Sequence, residues 1–216
     1  MEESRARSFQ TAFPEDLLHA YQKGTLAYTY KGVPCLRNPL DLAISLRLLW
    51  QEKPRSIIEI GSKAGGSALL WCDLAATFRL DATVVSIDRR VPSAAPQCAA
   101  RFLRGDVGDL QAVFAAHDLF TLPRPWLVYE DSAHTYEGCT AALEFFRQCL
   151  RHGELLVMED GVLAELGLSE QYAGGPNRAI AEFFARRPHD FAVATEYTDM
   201  FGINATYNPN GYLRRR

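Results

Sequence analysis

Short apolar runs alternate with longer amphipathic segments along most of the chain, and the first five runs are each followed by a glycine or an acidic residue. Runs of this length predict strands, while apolar positions three and four residues apart predict helices. The predicted strands cover residues 56–60, 82–87, 102–104, 126–129 and 154–158, with two closing strands at 191–196 and 201–207. The predicted helices cover residues 65–78, 109–117, 136–150 and 177–187. This alternation favours an α/β fold with a mainly parallel sheet.

The first fifty residues differ from the remainder, because they combine a helical pattern with several aromatic side chains, Tyr21, Tyr28, Tyr30 and Trp50. We predict a helical cap or lid over residues 1–50, attached to a main domain over 51–216. With 216 residues, 48% of them hydrophobic, the chain is long enough for one domain with a single core. Residues 167–176 form a predicted loop, either a plain connector or a gate over a substrate.

Composition and charge narrow the possible partners and location. The net charge is −3 and the isoelectric point is about 6.0, which argues against a nucleic-acid partner. We expect the short basic end, Arg214 to Arg216, to be a solvated tail. Five scattered cysteines without a CxxC pair favour a reducing cytoplasm. Residues 1–5 lack the apolar centre of a secretory signal, and no apolar run reaches the roughly 18 residues that would span a membrane.

A glycine-rich turn after the first strand of the main domain is the first candidate binding site. Glu59 and Gly61 end the strand, and Gly65, Gly66 and Ser67 open the next helix. The spacing departs from G-x-G-x-x-G, which marks dinucleotide sites. The Glu59 carboxylate would repel a pyrophosphate but attract the ammonium group of an amino-acid ligand.

Two further acids end the next two strands. Asp88 is placed to accept both hydroxyls of a ribose, and Asp106 to accept the exocyclic amine of an adenine. With Glu59 they fit a ligand that has an amino-acid end, a ribose and an adenine, which is S-adenosylmethionine. Each acid alone is also a common turn residue. Asp88 would equally fit a nicotinamide-dependent oxidoreductase, which Glu59 and the glycine spacing disfavour.

Three more carboxylates, those of Asp131, Glu159 and Asp160, follow the fourth and fifth strands. Neighbouring strand ends lie about 5 Å apart, so the three groups can converge on one point. Clustered carboxylates repel one another unless a cation neutralises them, and oxygen ligands favour Mg²⁺, Mn²⁺ or Ca²⁺. Such an ion would chelate a substrate hydroxyl and lower its pKa. The alternative is that the acids only cap their strands.

His134, three residues beyond Asp131, is the candidate general base. An imidazole there can reach the same substrate oxygen and take its proton near neutral pH. The other four histidines have no such neighbours, so we assign them no catalytic role. Glu130 competes with Asp131 for the metal, but successive strand residues point to opposite faces, and we favour Asp131 as both metal ligand and catalytic residue.

The chain resembles the cephalosporin hydroxylase/rhamnosyl O-methyltransferase family from about Tyr30 to its C-terminus. The matching segments are Lys31 to Leu42, Ile57 to Gly61, Gly65 to Ala68, Val85 to Asp88, Gly105 to Asp106, Asp131 to His134, Val157 to Asp160 and Asn208 to Leu213. The resemblance implies a Rossmann-like, doubly wound α/β fold whose mostly parallel seven-stranded sheet ends in an antiparallel C-terminal strand. It implies cofactor contacts at Glu59, Gly61, Ser62, Asp88 and Asp106, and a metal at Asp131, Glu159 and Asp160. We add Gly66, Ser67 and Val107, which lie in or beside those motifs, to the expected cofactor-binding residues.

The expected function is therefore an S-adenosylmethionine-dependent and divalent-metal-dependent O-methyltransferase. Its acceptor would be a hydroxyl of a small molecule, such as a secondary metabolite or a sugar, and the enzyme would be a homo-oligomer with no nucleic-acid or membrane partner. Methyl transfer would be a direct in-line displacement. The alternatives are the nicotinamide-dependent oxidoreductase and a non-catalytic cofactor-binding partner of another enzyme.

Overall fold

A central sheet of seven strands organises the computed structural model, which describes residues 7–93 and 95–216. The strands are β1 (Thr29–Tyr30), β2 (Val33–Pro34), β3 (Ser56–Ile60), β4 (Thr83–Asp88), β5 (Arg101–Arg104), β6 (Trp126–Glu130), β7 (Leu155–Met158), β8 (Phe191–Val193) and β9 (Tyr212–Arg215). The helices are α1 (Glu15–Ala27), α2 (Pro39–Glu52), α3 (Gly66–Thr77), α4 (Leu110–Ala116), α5 (Tyr136–Cys149), α6 (Gly175–Arg186) and α7 (Thr195–Thr198). Within the described ranges, no helix is long and apolar enough to cross a membrane.

The order of strands in the sheet is β5-β4-β3-β6-β7-β9-β8. All neighbouring strands from β5 to β7 are parallel, and β9 runs antiparallel to both β7 and β8. This confirms the expected doubly wound, Rossmann-like sheet with an antiparallel C-terminal strand. The chain proceeds from β3 to β4 in one direction and later from β6 to β7 in the other. The switch point, where such sheets bind ligands, therefore lies between β3 and β6.

Helices cover both faces of the sheet because the strands are apolar on both sides. Ile58 packs in one buried cluster with Phe146 of α5. Its neighbour Ile57 points to the opposite face and joins Leu48 of α2 and Trp71 of α3 in a second cluster. The result is a three-layer domain with α2 and α3 on one face and α4, α5 and α6 on the other.

The predicted N-terminal cap contains α1, the two-stranded β1–β2 hairpin and α2, while its residues 1–6 lie outside the described part of the chain. Leu18 of α1 packs on Val162 and Tyr207, beyond the carboxyl end of β7. Helix α2 instead belongs to the layer beneath the sheet, since Ile44 and Leu48 are completely buried there. The division at residue 50 stays a prediction.

The prediction of a closing strand at 201–207 is wrong, because the last strand is β9. Residues 201–207 form turns and bends. Ile203 is 72% exposed, whereas Asn204 and Thr206 are buried. Hydrogen bonds of buried polar side chains, rather than strand pairing, hold this segment in place. Thr206 donates its hydroxyl to Asp41, and Asn204 donates its side-chain amide to the backbone carbonyl of Ser8. The apolar and aromatic residues of this segment follow the pattern of a strand, but polar side-chain contacts determine the conformation of residues 201–207.

The expectation of a solvated basic tail is also wrong for Arg214 and Arg215, which belong to β9. The Arg214 guanidinium lies 2.7 Å from an oxygen of Glu52 and 2.8 Å from one of Glu196. Arg215 donates to the backbone carbonyls of Arg147 and Asp190. Charged residues at this strand are therefore held by partners on neighbouring elements, and only Arg216 is exposed.

Two glycines in helices offer a matched test of this packing. A Cβ at Gly66 would lie 2.1 Å from the backbone oxygen of Pro34, so β2 must move to accommodate it, whereas a Cβ at Gly24 of α1 meets nothing within 4 Å. We expect Gly66→Ala to lower the free energy of unfolding by about 1–3 kcal/mol. Gly24→Ala should raise it by about 0.5–1 kcal/mol, because alanine favours a helix. Urea unfolding followed by circular dichroism measures both, and an unchanged Gly66→Ala midpoint would contradict the close approach of β2 to α3.

Candidate functional site

The carboxyl ends of β3 and β6 meet at the switch point of the sheet. The Gly61 amide donates to the carbonyl of Ile87 at 2.7 Å, and the Asp131 amide donates to that of Ile60 at 2.8 Å. Gly61 has a φ of 110°, and a Cβ there would lie 2.0 Å from the Asp131 carbonyl oxygen. Only glycine fits this contact, which keeps the two strand ends together at the floor of the site.

An open cavity of about 830 Å³ lies over these strand ends. Its wall includes most of the predicted site residues: Gly61, Ser62, Ser67, Asp88, Asp106, Val107, Asp131, His134 and Asp160. Cavities of this size are typical of small-molecule sites. The structure therefore brings the predicted cofactor residues and the predicted metal and base residues to one cavity.

Asp88 and Asp106 keep the positions expected for ligand-binding acids. The two oxygens of Asp88 accept the backbone amides of Lys63, at 3.0 Å, and of Arg90, at 3.1 Å. Asp106 accepts the amide of Gly108 at 2.8 Å and so begins the short 3₁₀ turn that follows. These bonds fix the orientation of both carboxylates at the wall of the cavity.

Glu59 and Gly66 are not on that wall. Glu59 is completely buried, and one of its oxygens accepts the hydroxyl of Ser86. Ser86 in turn lies 2.6 Å, between hydroxyl oxygens, from Ser62, which does border the cavity. Gly66 packs against β2 instead. The contacts of Glu59 and Gly66 with a cofactor stay predictions. Glu59 is connected to the cavity by the hydrogen bonds through Ser86 and Ser62.

Two carboxylates and the imidazole of His134 form a compact group at one end of the cavity. The Nε2 atom of His134 lies 3.3 Å from Oδ2 of Asp160 and 3.7 Å from Oδ1 of Asp131. One ligand atom of each residue lies within 4.8 Å of the other two. Two ligands on opposite sides of a Mg²⁺ or Ca²⁺ ion would be about 4–5 Å apart, so one ion fits among the three.

Glu159, the third predicted metal ligand, lies behind this group. It is buried, and its Oε1 accepts a hydrogen bond from Nη1 of Arg37. Its metal-binding role stays a prediction. Glu130, the residue set aside in favour of Asp131, accepts the thiol of Cys139 on α5 and the hydroxyl of Ser132 in the loop after β6.

Burial shapes the electrostatics of this acid group. It raises the pKa of the Asp131 carboxyl, and it raises the pKa values of Glu59 and Glu159 in the same direction. The positive charge of Arg37 opposes each shift, while the acids raise one another's values. Carboxylates in such surroundings are stabilised by a cation, which is the chemistry that a bound divalent ion would supply.

The backbone around Asp160 is held by the C-terminal motif. Asp160 adopts a φ of 60°, and its amide donates to Oδ1 of Asn208 at 2.9 Å. The amide of Asn208 donates to the hydroxyl of Thr206, which itself donates to Asp41 of α2. Tyr212 also donates to Asp41, at 3.0 Å. The motif at 208–213 thus has a structural explanation, because it fixes the turn that carries Asp160.

Sequence reasoning missed Arg37 and Tyr172 at this site. Arg37 lies in the recognised motif from Lys31 to Leu42, but nothing local indicates which acids it meets. Tyr172 belongs to the predicted loop over 167–176, and its ring centre lies 6.3 Å from that of His134. Its carbonyl accepts the amide of Tyr136 at 3.0 Å, which ties the loop to α5 beside the cavity. A gate at this loop stays one of two interpretations.

Comparison with known proteins places the chain in a family. The family model described as rhamnosyl O-methyltransferase/CmcI matches residues 22–216. The rhamnosyl O-methyltransferase of Mycobacterium leprae (strain TN) is 26% identical over 195 residues, which cover 87% of this chain and 83% of that protein. The rhamnosyl O-methyltransferase of Mycobacterium bovis (strain BCG / Pasteur 1173P2) is 24% identical over 206 residues, covering 91% and 83%.

Solved structures agree in fold. CmcI with Mg and SAM superposes with a TM-score of 0.70 at 23% identity, over 88% of this chain and 77% of that one. CalS11, a TDP-rhamnose 3'-O-methyltransferase of calicheamicin biosynthesis, has a TM-score of 0.51 at 15% identity, over 89% and 94%. Because the family model covers nearly all of the chain, the protein belongs to the rhamnosyl O-methyltransferase/CmcI family and is an S-adenosylmethionine-dependent O-methyltransferase.

Proposed function

We propose that this enzyme methylates a hydroxyl of a small molecule, either a sugar or another secondary metabolite, and that it requires Mg²⁺, Mn²⁺ or Ca²⁺. The observation that carries the proposal is the convergence of Asp131, His134 and Asp160 in the same cavity as Asp88 and Asp106. One end of that cavity offers acids for a ribose and an adenine, and the other offers a metal-binding group with a base.

The wall around Gly61 and Ser62 is suited to S-adenosylmethionine. The free amides at the start of α3 and the carboxylates of Asp88 and Asp106 are the donors and acceptors that its amino-acid, ribose and adenine parts require. Bound there, S-adenosylmethionine supplies a methyl group as a sulfonium. A nicotinamide cofactor is not favoured, since the matching family model is described as rhamnosyl O-methyltransferase/CmcI and the glycine spacing for a pyrophosphate is missing from the turn after β3.

The residues at the other end of the cavity fit a hard divalent ion. Asp131 and Asp160 offer carboxylate oxygens, with the His134 imidazole beside them. Oxygen ligands favour Mg²⁺, Mn²⁺ and Ca²⁺, and all three stay candidates. Glu159 would complete the predicted ligand set. A bound ion would orient the acceptor hydroxyl and lower its pKa.

His134 performs the proton transfer in this proposal. Its Nε2 atom faces the two carboxylates, and there it takes the proton of the acceptor hydroxyl. S-adenosylmethionine held at the opposite wall would supply its methyl carbon to that oxygen, and the electron pair of the carbon–sulfur bond would stay on sulfur. The cavity walls keep the two reactants in line, which supplies much of the rate.

The wall beyond His134 indicates an uncharged acceptor. It includes Leu163, Leu168 and Tyr172, together with Thr25 and Leu26 of α1. These side chains are neutral, and they combine apolar surface with hydroxyl groups. The lysine and arginine residues described on the cavity wall are Lys63, Arg89 and Arg90. Arg89 follows Asp88 in sequence, and the backbone amides of Lys63 and Arg90 donate to the Asp88 carboxylate. This distribution supports a hydroxyl on a neutral sugar or metabolite.

Removal of divalent metal should abolish methyl transfer. We expect EDTA to reduce transfer from methyl-labelled S-adenosylmethionine to an accepting metabolite to background, and excess Mg²⁺ or Mn²⁺ to restore it. The reason is that Asp131 and Asp160 without an ion cannot hold the acceptor oxygen. Mass spectrometry of the products, which gain one methyl group, measures the effect. Methylation that continues unchanged in EDTA would remove the metal from the proposal.

A non-catalytic role is separated by the same assay. A cofactor-binding partner of another enzyme would bind S-adenosylhomocysteine but transfer no methyl group to any acceptor in a metabolite panel. Location and assembly stay predictions. The five free cysteines suit a reducing cytoplasm, where we expect the enzyme to act as a homo-oligomer.

A further inference from the structure

Arg37 is a buried cation that the proposed chemistry does not use. Its side chain is 3% exposed. The guanidinium carbon lies 5.1 Å from the ring centre of Trp71 and 5.5 Å from that of Tyr129, and these two rings stack on each other at 4.7 Å. Arginine is rarely buried this deeply unless its charge has partners.

Its partners are three carboxylates from three adjacent strands. Nη1 donates to Oε1 of Glu159, which follows β7. Nη2 lies 3.3 Å from Oδ2 of Asp131, which follows β6, and 3.9 Å from Oε1 of Glu59 on β3. The Glu59 oxygen has no hydrogen-bond partner among the described residues. One guanidinium thus faces the acids at the centre of the sheet from below the cavity floor.

We infer that Arg37 is a positioning residue for the metal-binding carboxylates, an inference that rests on the proposed function. Its planar guanidinium donates to Oδ2 of Asp131 and to Oε1 of Glu159, so that it binds one oxygen of each acid. Asp131 is left with Oδ1 turned towards His134, at 3.7 Å from Nε2. A guanidinium fork fixes a carboxylate in one orientation better than a single ammonium does. Arg37 therefore holds Asp131 so that its free oxygen faces the cavity, while it anchors Glu159 behind the same group.

The chain around Arg37 is built to hold it in place. Leu36 before it adopts a φ of 50°. Asn38 after it begins α2 by accepting the amides of Leu40 and Asp41 in its side chain. The segment between β2 and α2 is thereby fixed at both ends of the arginine. This gives the recognised motif at 31–42 a function that its local pattern does not reveal, which is to aim one cation at the floor of the site.

The test compares Arg37→Gln and Arg37→Lys with Arg124→Gln. Arg124 is a matched control because it also pairs with a buried glutamate, Glu154, and lies 3.7 Å from a ring centre, that of Trp126, but it is outside the cavity wall. Binding of Mn²⁺ to each purified full-length protein is measured by electron paramagnetic resonance, without substrate. Folding is checked by circular dichroism.

We expect Arg37→Gln to raise the Kd for Mn²⁺ at least about tenfold, the usual effect of removing a group that orients a ligand. Arg124→Gln should stay within about twofold of the wild type. Arg37→Lys should recover only part of the loss, because an ammonium keeps the positive charge beside the carboxylates but not the planar fork. An Arg37→Gln affinity equal to wild type overturns the inference. So does a lysine variant as weak as the glutamine variant, which would assign the effect to packing between Trp71 and Tyr129.

A measurement on the wild-type protein tests the inference even if the Arg37 variants do not fold. The guanidinium ¹⁵N resonances of Arg37 should shift when Mg²⁺ is added, and those of Arg124 should not. An unmoved Arg37 resonance in a protein that binds Mg²⁺ overturns the inference and leaves the proposed function intact. A wild type that binds neither Mn²⁺ nor Mg²⁺ overturns the metal half of the proposed function, and the inference with it.

Discussion

Asp160→Asn should reduce kcat for methyl transfer about 10³-fold, a loss of about 4 kcal/mol of transition-state stabilisation. Asp160 offers one of the two carboxylates in the group around His134, with Oδ2 3.3 Å from Nε2. Replacing it by a neutral amide weakens the hold on a divalent ion, so the acceptor oxygen is neither oriented nor made acidic. Binding of S-adenosylhomocysteine should change little, since the cofactor wall around Asp88 and Asp106 is untouched.

We expect Asp160→Asn to leave the backbone conformation unchanged. Asp160 has a φ of 60°, a conformation that asparagine tolerates better than most residues. The hydrogen bond to Asn208 comes from the Asp160 amide rather than from its side chain. Asp118→Asn is the matched control: it also has a positive φ, of 55°, and is exposed away from the cavity. The control should keep full activity.

Kinetics and metal titration together check the prediction. In Asp160→Asn, the kcat at saturating S-adenosylmethionine should fall and the Kd for Mn²⁺ should rise. In Asp118→Asn, neither quantity should change. An Asp160→Asn enzyme with wild-type kcat would show that the carboxylate serves only to end β7, which is the plainer interpretation of the same sequence.

Acids at strand ends were the most predictable part of the site. Asp88, Asp106 and Asp131 each follow an apolar run, and the carboxyl ends of parallel strands gather at one edge of the sheet. Strand periodicity and the direction of the sheet together place these side chains without any knowledge of long-range contacts. The cavity lined by all three agrees with that reasoning.

Glu59 shows the limit of the same reasoning. Periodicity locates it at the end of β3, but the face to which its side chain points decides whether it reaches the cavity or the interior. It is completely buried, and its nearest cation is Arg37. Arg37 and Asp131 are 94 residues apart, so their contact depends on how α2 packs beneath the sheet. Local patterns carry no information on a pairing of that range.

Adjacent acids pose a related difficulty at Glu159 and Asp160. Both follow β7, and a sequence pattern cannot separate them. The left-handed conformation of Asp160 turns it into the cavity, and the side-chain oxygen of Asn208 holds that turn by accepting the Asp160 amide. Glu159 is left beside Arg37. The same dependence on distant polar contacts made residues 201–207 resemble a strand, although Thr206 and Asn204 bond to Asp41 and to the backbone of Ser8 instead.

His134→Asn should lower kcat by about 10²–10⁴-fold, the usual contribution of a positioned general base. An amide cannot accept the proton of the acceptor hydroxyl, whereas the Nε2 atom of an imidazole can. The backbone again tolerates the change, because His134 has a φ of 53°. His152→Asn, at an exposed position after α5, is the control and should leave kcat unchanged.

Metal affinity separates a base from a ligand at this position. The three side chains of the group are close enough for His134 to bind the ion itself, as Asp131 and Asp160 are proposed to do. A base loses kcat on substitution but keeps the Kd for Mn²⁺ within about threefold, since both carboxylates remain. A ligand loses both, and would match Asp160→Asn. Joint loss of metal affinity and turnover in His134→Asn would therefore reassign His134 from proton acceptor to metal ligand, and the proton would need another acceptor in the cavity.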